Sequence, residues 1–528
     1  MSVQSTFFRP LSYHWVIFIA AVVLAGLYND TFWTKIFAYV SMEKEGDKSL
    51  LFALFAAYVL LIALSIELLS VRLSVKWVIG ALVVISGVSQ YFMQTLDITI
   101  NDMVIESLLH TNTGEIKDFL SWGLVGALLL YVALPLCLLF FCPLGSLRSF
   151  WRSSALKLAL IVGYLIALSG LYLWKGADIV FAFKSSKPII YATNPFAPIR
   201  SGVRVALDTL GPAKHFVHIG ADAKLVRSHQ APSVFVLVIG ESARAANFSL
   251  NGYARDTNPY TSKLKSLVNF TNFYACGVIT AISIPCMLTN YTHQTYKSRN
   301  QSLYVDNILD IAQRVGYQTY WISNNGGGCM GGVCARIEHI KYYNDGSFDG
   351  AMLGYITDLI AHTKQDTFIV INLHGSHGPS YFKRYPKNFE YFSPVCEQKE
   401  LQKCSHESIV NAYDNSIVYT DYFLYQIIHA LKENKGIAAA MWYVSDHGES
   451  LGEYKQYMHG GLPYALSPET QKHIPSMIWL GNGFKQHYQE LAKSKDAHLS
   501  HDYIFHTLLD LLDIHTQDYQ KDLDILKQ

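Results

Sequence analysis

The sequence predicts a two-part protein: a bundle of five transmembrane helices followed by an α/β sandwich with a mainly parallel central sheet. Two observations carry this. Long apolar runs crowd the first third of the 528 residues, each close to the ~20 residues that a helix needs to cross a bilayer. The remainder alternates short apolar runs with helical patterns, the signature of strands buried under helices. The formal net charge of +1 argues against a nucleic-acid partner, which needs a strong basic excess.

Five spans are expected, at about His14–Leu27, Leu50–Leu69, Trp77–Phe92, Leu120–Cys142 and Ala155–Trp174. Arg9 flanks the first as it would flank a signal peptide. That run lacks a small-x-small cleavage site and further spans follow it, so a retained anchor is expected. Arg72 and Lys76, then Arg148, Arg152 and Lys157, mark the cytoplasmic loops. Asp30, Glu43, Glu45 and Asp47, then Asp97, Asp102, Glu106, Glu115 and Asp118, mark the outer ones. The positive-inside rule then places the N-terminus in the cytoplasm and everything after about Lys175 outside.

The cysteines test that topology. Cys137 and Cys142 fall in the fourth span and read as packing residues. The other six, Cys276/Cys286, Cys329/Cys334 and Cys396/Cys404, all lie in the part placed outside. Six cysteines permit roughly 15 connectivities, and pairing with the near neighbour is the simplest. An even, clustered set outside the cytoplasm favours disulfides. Half of a metal site at Cys329-x4-Cys334 is the rival, but no histidine accompanies that pair.

Between spans three and four, Asp102–Asp118 reads as a short helix with Met103, Ile105, Leu108 and Leu109 on one stripe. The boundaries expected are 1–176 for the membrane domain, 177–230 for an interfacial linker broken by Pro188, Pro195 and Pro198, and 231–528 for the outer domain. In the last, Val234–Ile239, Gln318–Ile322, Thr367–Asn372, Met441–Ser445 and Ser476–Leu480 are expected strands. Ser302–Val315 and His406–Glu433 are expected helices. Sites on such sheets gather beyond the carboxyl ends of the strands.

Several strands do end in ligand-type residues. Val234–Ile239 runs into Gly240-Glu241-Ser242, where Glu241 either binds a cation or caps the next helix. Met441–Ser445 runs into Asp446-His447-Gly448, two adjacent residues that can face one cation or form a structural turn. Thr367–Asn372 leads to His374-Gly375-Ser376-His377, and His459-Gly460-Gly461 follows downstream. A lone histidine is more often packed than ligating; four beside glycine or after a strand make coincidence less plausible. Thr280 lies between Cys276 and Cys286, held like a nucleophile whose position must not drift. A threonine hydroxyl is unreactive until its alkoxide is stabilised, and a zinc ion, which accepts N and O ligands together, does that. Glu241, Thr280, Asp446 and His447 would make four ligands. His377 and His459 would offset charge on phosphoryl oxygens.

The chain resembles the lipid A phosphoethanolamine transferases of Gram-negative inner membranes, the group that includes the mobile colistin-resistance enzymes. The likeness lies in Gly240-Glu241-Ser242-Ala243-Arg244-Ala245-Ala246-Asn247-Phe248-Ser249-Leu250-Asn251-Gly252-Tyr253, the Thr280 loop, Gly375–Pro379, Asn411–Ser416 and Ser445–Glu453. It implies an alkaline-phosphatase or sulfatase type of catalytic domain in the periplasm, on a five-helix anchor, acting as a monomer. Glu241, Thr280, Asp446 and His447 match the family's zinc ligands, Thr280 being the nucleophile. His377 and His459 match donor-headgroup or second-metal positions, and Thr111 and Glu115 fit substrate-binding positions in the membrane-edge helix. Phosphatidylethanolamine would be the donor and a lipid A phosphate the acceptor, and the lower surface charge would favour polymyxin resistance.

Two departures bear on substrate. Relatives often carry a lysine inside the second cysteine pair, where this chain has Met330 and one extra residue, and Ser107 stands where asparagine is common. Rival readings are phosphoethanolamine or phosphoglycerol transfer to another envelope acceptor (a core sugar, a periplasmic glucan or a protein), a sulfatase, and a non-catalytic envelope scaffold. A sulfatase needs Cys or Ser in C/S-x-P-x-R, and Thr280-Ala281-Ile282-Ser283-Ile284 has neither the Pro nor the Arg. A scaffold has no need to keep all four candidate ligands.

Overall fold

The structure, a computed structural model, describes residues 10–43, 47–96, 98–110, 116, 117, 119–145, 150–185, 187–210, 215–227, 231–296, 299–326, 329–343, 346–453 and 456–528. It divides into two compact units. One comprises residues 1–105 and 120–205, the other residues 106–119 and 206–528.

The first unit is helical: α1 (Tyr13–Leu27), α2 (Asp30–Glu43), α3 (Lys48–Leu69), α4 (Val75–Leu96), α5 (Asp102–His110), α6 (Trp122–Phe141) and α7 (Phe150–Ser185). Among the described residues α3, α4, α6 and most of α7 are each long and apolar enough to cross a bilayer. The first expected span differs. Tyr13–Leu27 is followed at once by Asp30–Ser41, bent by 64° from it, so the fifth span is present only if the two are one broken helix. Asp30 opens α2, where its charge suits a helix N-terminus, while Phe32, Ile36 and Val40 are buried. That face explains why a stretch read as an acidic loop is helical. Asn29 sits at the bend. Its side chain donates to the Leu24 and Asn194 carbonyls and accepts from the Asn194 N–H, satisfying groups that a hydrocarbon surround would leave costly.

The stretch read as a linker is helical over most of its described length, through the end of α7, Lys187–Tyr191 and α8 (Phe196–Leu210). Of the expected Asp102–Asp118 helix, Asp102–His110 is helical, as are Ile116 and Lys117. Thr111 and Glu115 lie outside the described residues.

The second unit holds an eight-stranded sheet: β1 (Ser233–Gly240), β2 (Leu267–Tyr274), β3 (Gln318–Ser323), β4 (His339–Tyr342), β5 (Thr367–Asn372), β6 (Ala438–Ser445), β7 (His473–Leu480) and β8 (Leu499–Ser500). Their order is β8-β2-β7-β6-β1-β5-β3-β4. Pairs within β6-β1-β5-β3-β4 are parallel, β7 is antiparallel to both neighbours, and β8 is parallel to β2. The sheet is therefore mixed, parallel where the candidate site lies. β1 reads Ser-Val-Phe-Val-Leu-Val-Ile-Gly and is buried throughout, as a parallel strand covered on both faces should be. On one face Val234, Val236 and Val238 join a core with α11 (Leu353–His362) and α12 (His406–Glu433), through Ile356, Ile360, Tyr413, Ile417 and Leu424. On the other, Phe235 packs on Phe368 and Phe484.

The helix expected over Ser302–Val315 is divided. A 3-10 turn spans Arg299–Tyr304, and α10 (Ile308–Arg314) starts anew. Asn307 is the cause: its side chain accepts from the Leu309 and Asp310 N–H groups while Asp310 accepts from the Asn307 N–H. That capping box terminates any helix arriving from the N-terminal side. α9 (Thr280–Leu288) starts at the candidate nucleophile. Cys276–Cys286, Cys329–Cys334 and Cys396–Cys404 are disulfide-bonded, and Cys137 and Cys142 are free.

Candidate active site

The carboxyl ends of four adjacent parallel strands build the site. β1 and β6 pair with Gly240 opposite Ser445, so Glu241 and Asp446 leave the sheet side by side. The Asp446 N–H donates to the Gly240 carbonyl at 2.9 Å. Beyond β5, Gly375 lies against Glu241 at φ 53°, where a Cβ would come within 2.9 Å of the Glu241 backbone N and O. Only glycine fits that left-handed, crowded place. Beyond β3, Asn325 donates to Glu241 Oε2 at 2.6 Å.

Thr280 opens α9 and points its hydroxyl into this cluster. Thr280 Oγ1 donates to Glu241 Oε2 at 3.0 Å and stands 3.3 Å from His447 Nε2. His447 Nε2 is in turn 3.4 Å from Glu241 Oε1 and 3.3 Å from Asp446 Oδ2. His447 Nδ1 sits 2.8 Å from the Gly448 carbonyl, which takes the ring's one proton there and leaves the Nε2 lone pair facing the carboxylates. The four residues expected as ligands thus converge, and all but Thr280 are fully buried.

The histidines extend the cluster. The His459 ring lies 4.0 Å from that of His447, and His377 lies 5.8 Å from His459. His374 is 5.9 Å from His377 and 3.4 Å from Arg384 Nη1. Arg384 Nε also donates to the His377 carbonyl at 2.7 Å, tying the loop down.

Electrostatically the cluster lacks a positive charge. Burial, then the neighbouring Asp446, pushes Glu241 up to about 7, and burial pushes Asp446 to about 7 and Glu449 to about 8. Burial holds His447 down at about 4 and lowers His377 and His459. Asp446 Oδ2, both Glu449 oxygens and His459 Nδ1 are buried without a hydrogen bond. Buried acceptors without donors are costly unless a cation satisfies them. Glu241, His447 and His459 place one ligand atom each within 4.8 Å of one another. Mixed carboxylate and imidazole donors at such spacing fit a zinc-type ion.

Sequence reasoning missed three residues here. Asn325 orients Glu241, and Glu449 lies 3.4 Å from His459 Nδ1. His501 accepts from the Cys276 N–H and sits 2.9 Å from the Ser445 carbonyl, joining the Thr280 loop to β6. Only long-range packing brings Asn325 and His501 in; Glu449, two residues after His447, was legible by proximity. The long Gly240–Tyr253 motif is a brace. Arg244 donates to Asn247, to the Glu449 carbonyl and to Glu453, and Asn247 donates to Asp414. Tyr413 closes the brace by donating to the Ser242 carbonyl at 2.7 Å.

Gly448 is the tightest point of the site: a Cβ there would lie 2.0 Å from the Thr470 carbonyl oxygen. Gly448→Ala should displace the Asp446-His447 turn and lower turnover on the order of 100-fold, the cost of ~1 Å misplacement. Turnover of the purified variant measures it, and a wild-type rate would refute the argument.

Comparisons with known proteins agree with this geometry. A family model described as Sulfatase matches residues 233–514, and one described as Phosphoethanolamine transferase EptA/EptB matches residues 56–210. Phosphoethanolamine transferase EptA of Escherichia coli K12 is 33% identical over 84% of either chain. Phosphatidylethanolamine transferase Mcr-1 of Escherichia coli is 32% identical over 95% of each. The solved lipooligosaccharide phosphoethanolamine transferase A of Neisseria meningitidis superposes with a TM-score of 0.92 at 27% identity, over 98% of this chain and 99% of that one. The chain is a membrane protein that belongs to the phosphoethanolamine transferase family.

Proposed function

We propose that the protein transfers phosphoethanolamine from phosphatidylethanolamine to a lipid A phosphate through a covalent phosphoethanolamine–Thr280 intermediate, with zinc as cofactor. The observation that carries the reading is the Thr280 hydroxyl, donated to Glu241 and facing His447, beside buried acceptors that lack a donor. Glu241, Thr280, Asp446 and His447 would hold the zinc, whose charge would lower the cost of deprotonating the threonine. His377 and His459, or a second ion between them, would receive the donor phosphate, as Thr111 and Glu115 would receive a substrate headgroup.

The protein's own groups supply the rest. Glu241 Oε2 takes the hydrogen bond of the Thr280 hydroxyl and is its nearest proton acceptor. Oγ1 forms a bond to phosphorus as the bond from phosphorus to the diacylglycerol oxygen breaks, and that oxygen leaves as an alcohol carrying the proton that Thr280 gave up to Glu241. His377 and His459, kept neutral by burial, offer ring N–H groups to phosphoryl oxygens. An oxygen of the acceptor phosphate then attacks phosphorus as the bond from phosphorus to Oγ1 breaks, and the proton it gives up restores the Thr280 hydroxyl. The Cys276–Cys286 bond and the His501 bridge hold Oγ1 at its place throughout.

In this reading residues 1–176 anchor a monomer in the bacterial inner membrane with the N-terminus cytoplasmic. Residues 177–230 link it to a periplasmic catalytic domain over 231–528. Adding an ethanolammonium to lipid A lowers net negative charge at the cell surface and weakens attraction of polymyxins. Mass spectrometry of lipid A and core oligosaccharide from cells with and without the gene tests the acceptor. A phosphoethanolamine increment on a lipid A phosphate is expected; an increment found only on core sugar, glucan or protein would replace lipid A with that acceptor.

A further inference from the structure

At the opposite end of the sheet from Thr280 lies a cavity of about 390 Å³, within the range of small-molecule sites. It is lined by the turn entering β2, the end of α12, the start of β6 and the end of β7. β6 runs from this cavity, at Ile437 and Ala439, to Ser445 beside the catalytic cluster. At ~3.3 Å per residue the two sites are roughly 20 Å apart. One small ligand cannot reach both.

The lining is unusual in charge. Lys263, Lys265, Lys432, Lys435 and Lys485 border the cavity, and no aspartate or glutamate does. Among the described residues none of these five forms an ion pair with a carboxylate. Lys432 is the inner member, half-buried with its ammonium 5.5 Å from the centre of the Trp479 ring, a cation–π contact that fixes it. Trp479 is 4% exposed, and its indole N–H is buried with no acceptor. The rim of the cavity carries ammonium groups with no carboxylate among them. Lys263, Lys265, Lys435 and Lys485 are exposed, so solvent screens part of the repulsion among the five lysines, and an anion in the cavity offsets what remains. One phosphate cannot touch five ammonium groups distributed around such a volume, so the charge calls for more than one anionic group. Asn482 and Ser266 add polar groups suited to neutral hydroxyls, while Asn434 is held by the Ile360 carbonyl and the Gly436 N–H.

We propose that this cavity is a second binding site, separate from the catalytic cluster, for a small ligand carrying two or more phosphate groups on a sugar-sized polar body. Lysine serves phosphate as a mobile point charge, and the binding is electrostatic, so added salt weakens it. The site does not depend on which group the enzyme transfers.

Calorimetric titration of the full-length protein in neutral detergent tests it, with fructose 1,6-bisphosphate as the probe, inorganic phosphate as the single-anion arm and glucose as the uncharged arm. The bisphosphate should bind with a dissociation constant below about 1 mM, and inorganic phosphate at least tenfold more weakly. Glucose should not bind. The K265Q/K432Q/K435Q variant should lose at least tenfold in affinity for the bisphosphate. Equal affinity in the variant places the ligand elsewhere and overturns the proposal; equal affinity for inorganic phosphate overturns its polyanionic part. Should the variant fold poorly, the wild-type protein decides: the bisphosphate should slow acetylation of Lys432 and Lys435 by an amine-selective reagent at least threefold, and no protection refutes the site.

Discussion

Thr280→Ala should abolish phosphoethanolamine transfer, with a loss on the order of 10⁴-fold or more in turnover, the scale of removing a covalent nucleophile. The substitution removes a hydroxyl whose contacts are Glu241 Oε2 and His447 Nε2. Thr280 is half-buried at the first turn of α9, so the thermal midpoint of the detergent-solubilised variant should stay near wild type. Thr280→Ser keeps an oxygen on the same Cβ and should retain activity within about 100-fold, because a serine loses the stiffness that the β-branch gives χ1. Release of diacylglycerol from a fluorescent phosphatidylethanolamine measures both. Intact-protein mass spectrometry should find the phosphoethanolamine adduct on the wild type and not on Thr280→Ala. A variant without the hydroxyl that still turns over would remove Thr280 from the mechanism.

How much of this was legible beforehand follows from burial. β1, β3, β5, β6 and much of β7 are near-continuous apolar runs because helices cover both faces of the sheet, and their ends deliver Glu241 and Asp446-His447 where a polar pair stands out. β2 was not seen: Leu267-Val268-Asn269-Phe270-Thr271-Asn272-Phe273-Tyr274 alternates only in part, since its inward Val268, Phe270 and Phe273 are shifted by an extra residue of β2 between Phe270 and Phe273, facing Ile474 to Ser476 of β7. β4, His339–Tyr342, is an exposed edge strand whose pairing with β3 supplies what its polar residues do not announce. The candidate nucleophile was readable from its cysteine staple. Asn325 and His501 were not, because each reaches the site only through strand order and loop packing that no local pattern encodes. α2 was hidden by its acidic start, a charge that marks a loop in a topology argument and a favoured first turn in a helix.

The charge deficit of the site leads to the second large effect, a stabilisation by zinc that grows with pH. In the metal-free protein burial raises Glu241 and Asp446 to about 7, above their values in an unfolded chain. A carboxyl raised on folding holds its proton more tightly in the folded state. Its contribution to stability is therefore complete below the unfolded value near 4 and is lost as pH rises through about 7. Each tenfold gain in proton affinity corresponds to ~1.4 kcal/mol, so these two carboxyls together withdraw on the order of 5 kcal/mol between pH 5 and pH 8. With zinc bound the same carboxylates are wanted in their ionised form, and protons compete with the metal for them. Zinc at a thousandfold excess over its dissociation constant adds about 4 kcal/mol. Neutral His447, His377 and His459, lowered by burial, act in the opposite sense up to about pH 6.5, so the expected result is the difference: the gap between the zinc-loaded and chelated thermal midpoints should widen from pH 5 to pH 8. Glu241→Gln keeps the shape, removes one ionisable oxygen pair and should flatten the pH dependence of the chelated protein while weakening zinc retention, read by elemental analysis after gel filtration. Parallel pH profiles with and without zinc would mean that Glu241 and Asp446 are not where the ion binds.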